Sequence, residues 1–304
     1  MFDIIVIGGG MAGMTACLYA LRNNKKVLLL EREAIGGQIA KSPKVENYPT
    51  RKVVSGAELS DQMFEQILEL GVDFELEEVK GIEKVDGIFN VTTDYNIHQA
   101  KSVVVATGAK PRMLGIENEE KLLGKGVYYC AICDGPFYAG KEVTLIGDAN
   151  SALQYALMLA GYCKKVHLMT LFDGFFGEKS LQDAVRKTAN IEIMHNVKAT
   201  SFKGDEHLES IIFQKKDGSV FEHKTEAVFV AIGQVPDNKA FEKMAEIDKQ
   251  GYLVSSEACK TQTLGLFVAG DCRTKEIRQV ATAVSDGAIA ATNACKYLDK
   301  IGVN

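Results

Sequence analysis

Two cysteines two residues apart, in the run Cys130-Ala131-Ile132-Cys133-Asp134, are the side chains whose spacing most directly implies chemistry. Such a pair can close into a disulfide, and a depressed thiolate pKa makes one of the sulfurs an attacking nucleophile. Asp134 stands directly behind. Protonated, a carboxyl beside a dithiol can return a proton to a leaving thiolate; the bland alternative is an acid in a surface turn. The rival chemistry for the pair is half of a tetrahedral zinc site, which needs a second close pair, and Cys17, Cys163, Cys259, Cys272 and Cys295 are scattered singly. Those five read as small buried residues within helical or strand patterns. No histidine clusters with acids or thiols along the chain, so neither a metal nor a histidine base is expected.

A redox pair needs a route for electrons, and the elements around it suggest one. Asp3 to Ile7 reads as a buried parallel strand, followed by Gly8-Gly9-Gly10-Met11-Ala12-Gly13, a helix to about Arg22, and a strand ending in Glu31. In that strand–turn–helix setting, Gly8 permits the tight turn, Gly10 lets backbone approach a pyrophosphate, Gly13 allows close helix packing and Glu31 can bind ribose hydroxyls. An irregular region containing Gly36-Gly37-Gln38 and Glu46-Asn47-Tyr48-Pro49 is long enough to wrap a ligand. Ser55-Gly56-Ala57-Glu58 has the form of a helix cap, and Asp86-Gly87 marks a hairpin in a small antiparallel excursion. Val103 to Gly108 then predicts another buried strand with small residues at its end.

The pattern repeats. Val143-Thr144-Leu145-Ile146-Gly147 lies over Ile4-Ile5-Val6-Ile7-Gly8 at an offset of 139 residues, and Lys164-Lys165-Val166 lies over Lys25-Lys26-Val27 at the same offset. A whole βαβ unit is duplicated. Val228 to Gly233 is the partner of the strand ending at Gly108, and Leu266 to Asp271 with an Ala-rich helix from about Gln279 to Leu298 belongs by patterning with the first domain. The expected fold class is α/β: two Rossmann-like dinucleotide-binding domains, the second (113–244) inserted into the first (1–112 and 245–304).

Composition bounds the partners. With 46% apolar and 25% charged residues the 304-residue chain is a globular protein, and a net charge of −5 leaves no basic footprint for nucleic acid. No apolar run approaches the ~20 residues of a membrane span, and no signal-peptide pattern precedes the first strand, so a cytoplasmic location is expected.

With Gly8, Gly10, Gly13, Glu31, Ala106-Thr107-Gly108, Cys130, Cys133, Asp134 and Gly270-Asp271 in place, the chain resembles the low-molecular-weight thioredoxin reductases over its whole length. The resemblance implies a homodimeric flavoenzyme with one FAD per chain, held by Gly8, Gly10, Gly13, Glu31, Gly37, Gln38, Asn47, Thr107, Gly108, Asp271 and Gln279. It implies that Cys133 faces the flavin, that Cys130 attacks the disulfide of thioredoxin, and that Asp134 donates the proton.

The duplication also shows what the second domain lacks. Gly9, Gly10, Gly13 and Glu31 are answered by Asp148, Ala149, Ala152 and Thr170, and only Gly147 survives unchanged. At an effective dielectric of ~20 a unit charge 4 Å from a phosphate charge costs about 4 kcal/mol, roughly a thousandfold in affinity. Where NADPH-dependent members of the family carry a His-Arg-Arg run, this chain reads Thr170-Leu171-Phe172. Bound NADPH is therefore not expected. The chain is most similar to the ferredoxin-dependent flavin thioredoxin reductases, which implies reduced ferredoxin as donor. The alternatives are an NADPH-dependent thioredoxin reductase with an atypical nucleotide site, a diflavin-type disulfide oxidoreductase, and a non-catalytic flavoprotein redox sensor. Phe172, Phe175 and Phe176 could seal the vacant groove, form part of a partner surface, or make a buried loop cluster.

Overall fold

An unbroken apolar run forms a strand covered on both faces, and Phe2–Ile7 (β1) behaves so: Ile4 and Val6 belong to one apolar core, Ile5 and Ile7 to another. These relations come from a computed structural model that describes residues 1–42, 45 and 47–302. Glu46 of the expected ligand-wrapping loop lies outside the described residues. After β1 come helix Met11–Arg22 (α1) and strand Val27–Glu31 (β2). Helix Gly56–Glu69 (α2) starts where Ser55 Oγ accepts the Glu58 N–H at 3.1 Å, the cap its sequence predicts. Strand Asp73–Leu76 (β3), the hairpin Val79–Val85 (β4) and Ile88–Thr93 (β5), and the long strand Ile97–Val105 (β6) complete the first pass.

Through Ala109–Pro111 (β7) the chain enters a second compact unit. It contains Val127–Tyr128 (β8), the short helix Ala131–Asp134 (α3), Glu142–Ile146 (β9), Asn150–Ala160 (α4), Lys165–Met169 (β10), Lys179–Lys187 (α5) and Ile191–Met194 (β11). An antiparallel sheet of Val197–Lys203 (β12), Ser210–Lys215 (β13) and Val220–Lys224 (β14) precedes Val228–Val230 (β15). The chain leaves through Gln234–Pro236 (β16), which pairs with β7, and ends with Leu266–Val268 (β17) and the helix Val280–Ile301 (α6).

The first unit's sheet runs β3-β2-β1-β6-β5-β4, with β17 on the far half of β6; the second unit's main sheet runs β11-β10-β9-β15-β8, all parallel. Strands β9, β10, β11 and β15 thus repeat β1, β2, β3 and β6, and the α/β class with two dinucleotide-binding units stands. Both joints move. The units divide as Met1–Lys110 with Val235–Asn304, and residues 111–234, so the expected joints at 112/113 and 244/245 lie at 110/111 and 234/235. Residues 235–244 have a linker's composition, yet Asn238 donates to the Gly251 and Cys272 carbonyls at 2.8 and 2.9 Å and Phe241 is buried in the first unit's core. Among the described residues no helix is long and apolar enough to cross a membrane.

Candidate active site

Strand β8 delivers the chain to Cys130, which stands at the N-terminal boundary of α3, and Cys130 and Cys133 are joined in a disulfide with Cα atoms 5.3 Å apart. The approach is pinned by Glu119, 2% exposed, whose carboxylate accepts the Leu114 and Gly115 N–H groups at 2.8 and 2.7 Å and the Tyr129 hydroxyl. Nothing in the sequence singles out Glu119 from its charged neighbours. Asp134 is buried, and its carboxyl has no hydrogen-bond partner among the described residues; burial alone pushes it up to about 7. The wall includes Tyr138, whose hydroxyl meets that of Tyr128 at 3.0 Å, and both rings pack on Phe229. A carboxyl that titrates near neutrality, one residue beyond a disulfide, can hold or release a proton as the sulfurs change charge. The surface-turn alternative for Asp134 does not fit a residue 8% exposed.

In the first unit, the residues expected to hold a dinucleotide gather around a cavity of about 310 Å³. Its wall contains Gly8, Gly10, Glu31, Gly37, Gln38, Thr107, Gly108, Asp271 and Gln279. Gly13 sits beneath, where a methyl group would strike the Gly8 carbonyl, and Asn47 reaches the cavity through Gln279, donating to its side-chain carbonyl at 3.1 Å. Gly8 has φ +108°, and a side chain there would collide with Ala106 O. Glu31 accepts the Gly9 N–H at 2.7 Å, which ties the end of β2 to the glycine turn. Asp271 Oδ1 is buried with no partner, and burial pushes its carboxyl up. A buried acceptor left without a donor in a cavity wall calls for a hydroxyl-bearing ligand. A dinucleotide such as FAD would fit these demands, bringing hydroxyls for Asp271 and Glu31 and a diphosphate for the turn before α1.

The second unit's corresponding turn is built differently. Gly147 keeps the positive φ, +153°, but Asp148 is half-buried and burial pushes its carboxyl up, so the surroundings already disfavour negative charge. The segment after β10 folds onto the start of α4. Phe176 N–H donates to Asp148 O at 2.8 Å, Glu178 N–H donates to Asn150 Oδ1 at 2.7 Å, and Gln182 holds the Gly177 carbonyl at 2.8 Å. Gly177 lies so close that a methyl on it would stand 2.5 Å from Leu153 Cδ1 and 3.2 Å from Asn150 N. Of the three phenylalanines, Phe175 turns inward against His195 and Arg186, while Phe172 and Phe176, 48% and 68% exposed, meet edge to face at 5.1 Å.

The fold also gathers residues the sequence leaves apart. His98 meets Glu77 at 2.8 Å, and His167 lies between Glu192 (3.1 Å) and Glu142 (3.5 Å). No group of acids, histidines and cysteines suited to a metal ion occurs among the described residues. The five remaining cysteines are buried, Cys259 pushed up to about 12.

Comparison with known proteins adds to this geometry. The pyridine nucleotide-disulphide oxidoreductase family matches residues 2–287. A 34.2 kDa protein in the rubredoxin operon of Clostridium pasteurianum is 39% identical over 300 residues, 97% of each chain. Thioredoxin reductase of Treponema pallidum is 37% identical over 302 residues, 99% of this chain and 98% of that one. The structure of thioredoxin reductase from Streptococcus pyogenes matches with a TM-score of 0.94 at 34% identity over 99% of both chains. A ferredoxin-flavin thioredoxin reductase from Clostridium acetobutylicum matches with a TM-score of 0.55 at 28% identity, over all of this chain and 99% of that one.

Proposed function

Because the chain belongs to the pyridine nucleotide-disulphide oxidoreductase family, and within it to the low-molecular-weight thioredoxin reductases, we propose that its electrons come from a reduced ferredoxin rather than from NADPH. The observation that carries this reading is the segment Phe175–Glu178 folded onto the start of α4, with Asp148 in the turn and Glu178 beside it. A helix start that receives a nucleotide diphosphate needs open N–H groups and no competing anion, and this one has a peptide segment and two carboxylates. The likeness to a ferredoxin-flavin thioredoxin reductase supports a one-electron protein donor.

Bound in the first unit's cavity, one FAD per chain would supply the exchange between single electrons and a two-electron disulfide. The residues of the second unit do the rest. Reduced Cys130, as thiolate, attacks one sulfur of the thioredoxin disulfide; that S–S bond breaks, and the released thiolate takes a proton from Asp134. Cys133 then passes its proton to the ionised Asp134 and attacks the Cys130 sulfur; the bond from Cys130 to thioredoxin breaks, the Cys130–Cys133 disulfide re-forms, and the second thioredoxin thiolate takes that proton back, leaving as reduced thioredoxin. The enzyme works as a cytoplasmic homodimer.

A groove of about 550 Å³ beside Leu171 and Phe172, lined by Lys198, Lys215 and Lys216, favours a second reading, in which NADPH binds through an atypical phosphate site. Anaerobic mixing separates the two. Reduced ferredoxin is expected to bleach the flavin absorbance of the purified protein, while NADPH and NADH at micromolar concentration leave it unchanged. Rapid bleaching by either nucleotide ends the ferredoxin reading.

A further inference from the structure

Beneath the Gly270-Asp271 turn lies a trio of buried charges. Asp286, on α6 and 4% exposed, accepts four hydrogen bonds: from Arg273 Nε and Nη2, both at 2.9 Å, from Lys275 Nζ at 2.8 Å, and from Gly270 N at 3.0 Å. Arg273 is 2% exposed, and the Lys275 side chain is 6% exposed. Arg273 alone would neutralise Asp286 in bidentate fashion. The second buried cation leaves one positive charge over, and the nearby Glu257 carboxylate, 3.6 Å from Arg273 and 92% exposed, is too well solvated to cancel it.

A surplus charge out of water is costly unless something negative answers it. The turn that Asp286 holds offers a candidate: Asp271, on the cavity wall with an unpartnered Oδ1. Burial pushes the Asp271 carboxyl up and Asp286 adds to that, while Lys275 and Arg278 draw it toward its ionised form. Lys275 Nζ and the Gly270 N–H share one oxygen, Asp286 Oδ2, and Gly270 and Asp271 both line the cavity, so the cation stands directly behind the wall that added negative charge would face.

We infer that Lys275 is the charge-setting residue of the flavin cavity: with Arg273 and Asp286 it forms a buried monocation that fixes the Gly270-Asp271 turn and favours the more electron-rich cofactor. The inference rests on a flavin occupying this cavity and is independent of which donor reduces it.

The test compares purified holoprotein with Lys275→Gln, Lys275→Met and Lys275→Arg, measuring flavin content, FAD dissociation and flavin midpoint potential at one pH. Both neutral variants are expected to favour the reduced flavin about tenfold less, a shift of about −30 mV for a two-electron couple, with Lys275→Arg restoring the original value. Loss of flavin from both neutral variants but not from Lys275→Arg also supports the charge role. An unmoved potential in a flavin-loaded neutral variant overturns it, as does an equal shift or loss of flavin in all three. Wild-type protein that takes up no FAD would refute the flavin site instead.

Discussion

At the scale of single residues, Asp134 makes the sharpest demand on experiment. Burial raises its pKa from 3.8 to about 7, so between about pH 4 and 7 the folded protein holds a proton that the unfolded chain has released. Stability therefore falls as pH rises through that window, and the penalty is complete above about pH 7. The gap corresponds to at most ~4 kcal/mol. Asp134→Asn removes the charge, though its amide is still desolvated, so it should be more resistant to urea than the parent at pH 8, with the advantage fading toward pH 4. Thioredoxin reduction by the same variant should drop by about 10²-fold or more. Greater urea sensitivity at pH 8 would contradict the burial argument. The motif Cys130, Cys133 and Asp134 is legible in sequence because its members are neighbours. The trio Arg273, Lys275 and Asp286 is not, since an aspartate in an Ala-rich helix reads as a solvated acid until the fold buries it.

At the scale of elements, the cavity depends on how closely α6 approaches α1. A methyl on Gly287 would strike the Ala12 carbonyl, and the contact continues through Ala16 and Ala20 of α1 and Ala290, Ala291 and Ala294 of α6, all buried. Both helices also begin at the cavity, at Met11 and Val280. Gly287→Val should force them apart, at a cost of about 1–3 kcal/mol from overpacking, and weaken FAD binding. The disulfide's reactivity toward an external dithiol should be unchanged, because Cys130 and Cys133 belong to the other unit. Equal damage to both readouts would mean that the variant fails globally. The small residues of α6 announced a close approach in the sequence. For residues 175–178 the sequence left three placements open, sealing the groove among them, because the main contacts to the start of α4 use backbone groups and an Asn side chain, which carry no periodicity.

At the scale of the whole molecule, the duplication is legible because both copies keep buried parallel strands and a glycine turn at a constant spacing, even though the second copy has lost most of the groups that face a nucleotide. The later joint shows the limit: residues 235–244 look like a linker, and it takes the hydrogen bonds of Asn238 and the burial of Phe241 to tie them to the first unit. Among the described residues each unit has its own pair of apolar cores. Heating is therefore expected to resolve two transitions, and ligands should act on them selectively. A ligand that binds only the folded form stabilises it by RT ln(1 + [L]/Kd), about 2.7 kcal/mol at a hundredfold excess over Kd. Added FAD should raise one transition by that mechanism and leave the other in place. NADPH at millimolar concentration should move neither, because the second unit's turn faces any diphosphate with Asp148, Glu178 and the Phe175–Glu178 segment. Calorimetry of flavin-depleted protein with each ligand in turn checks both expectations. A rise with NADPH in the transition that FAD leaves alone would put a nucleotide on the second unit and return the donor to the pyridine coenzymes.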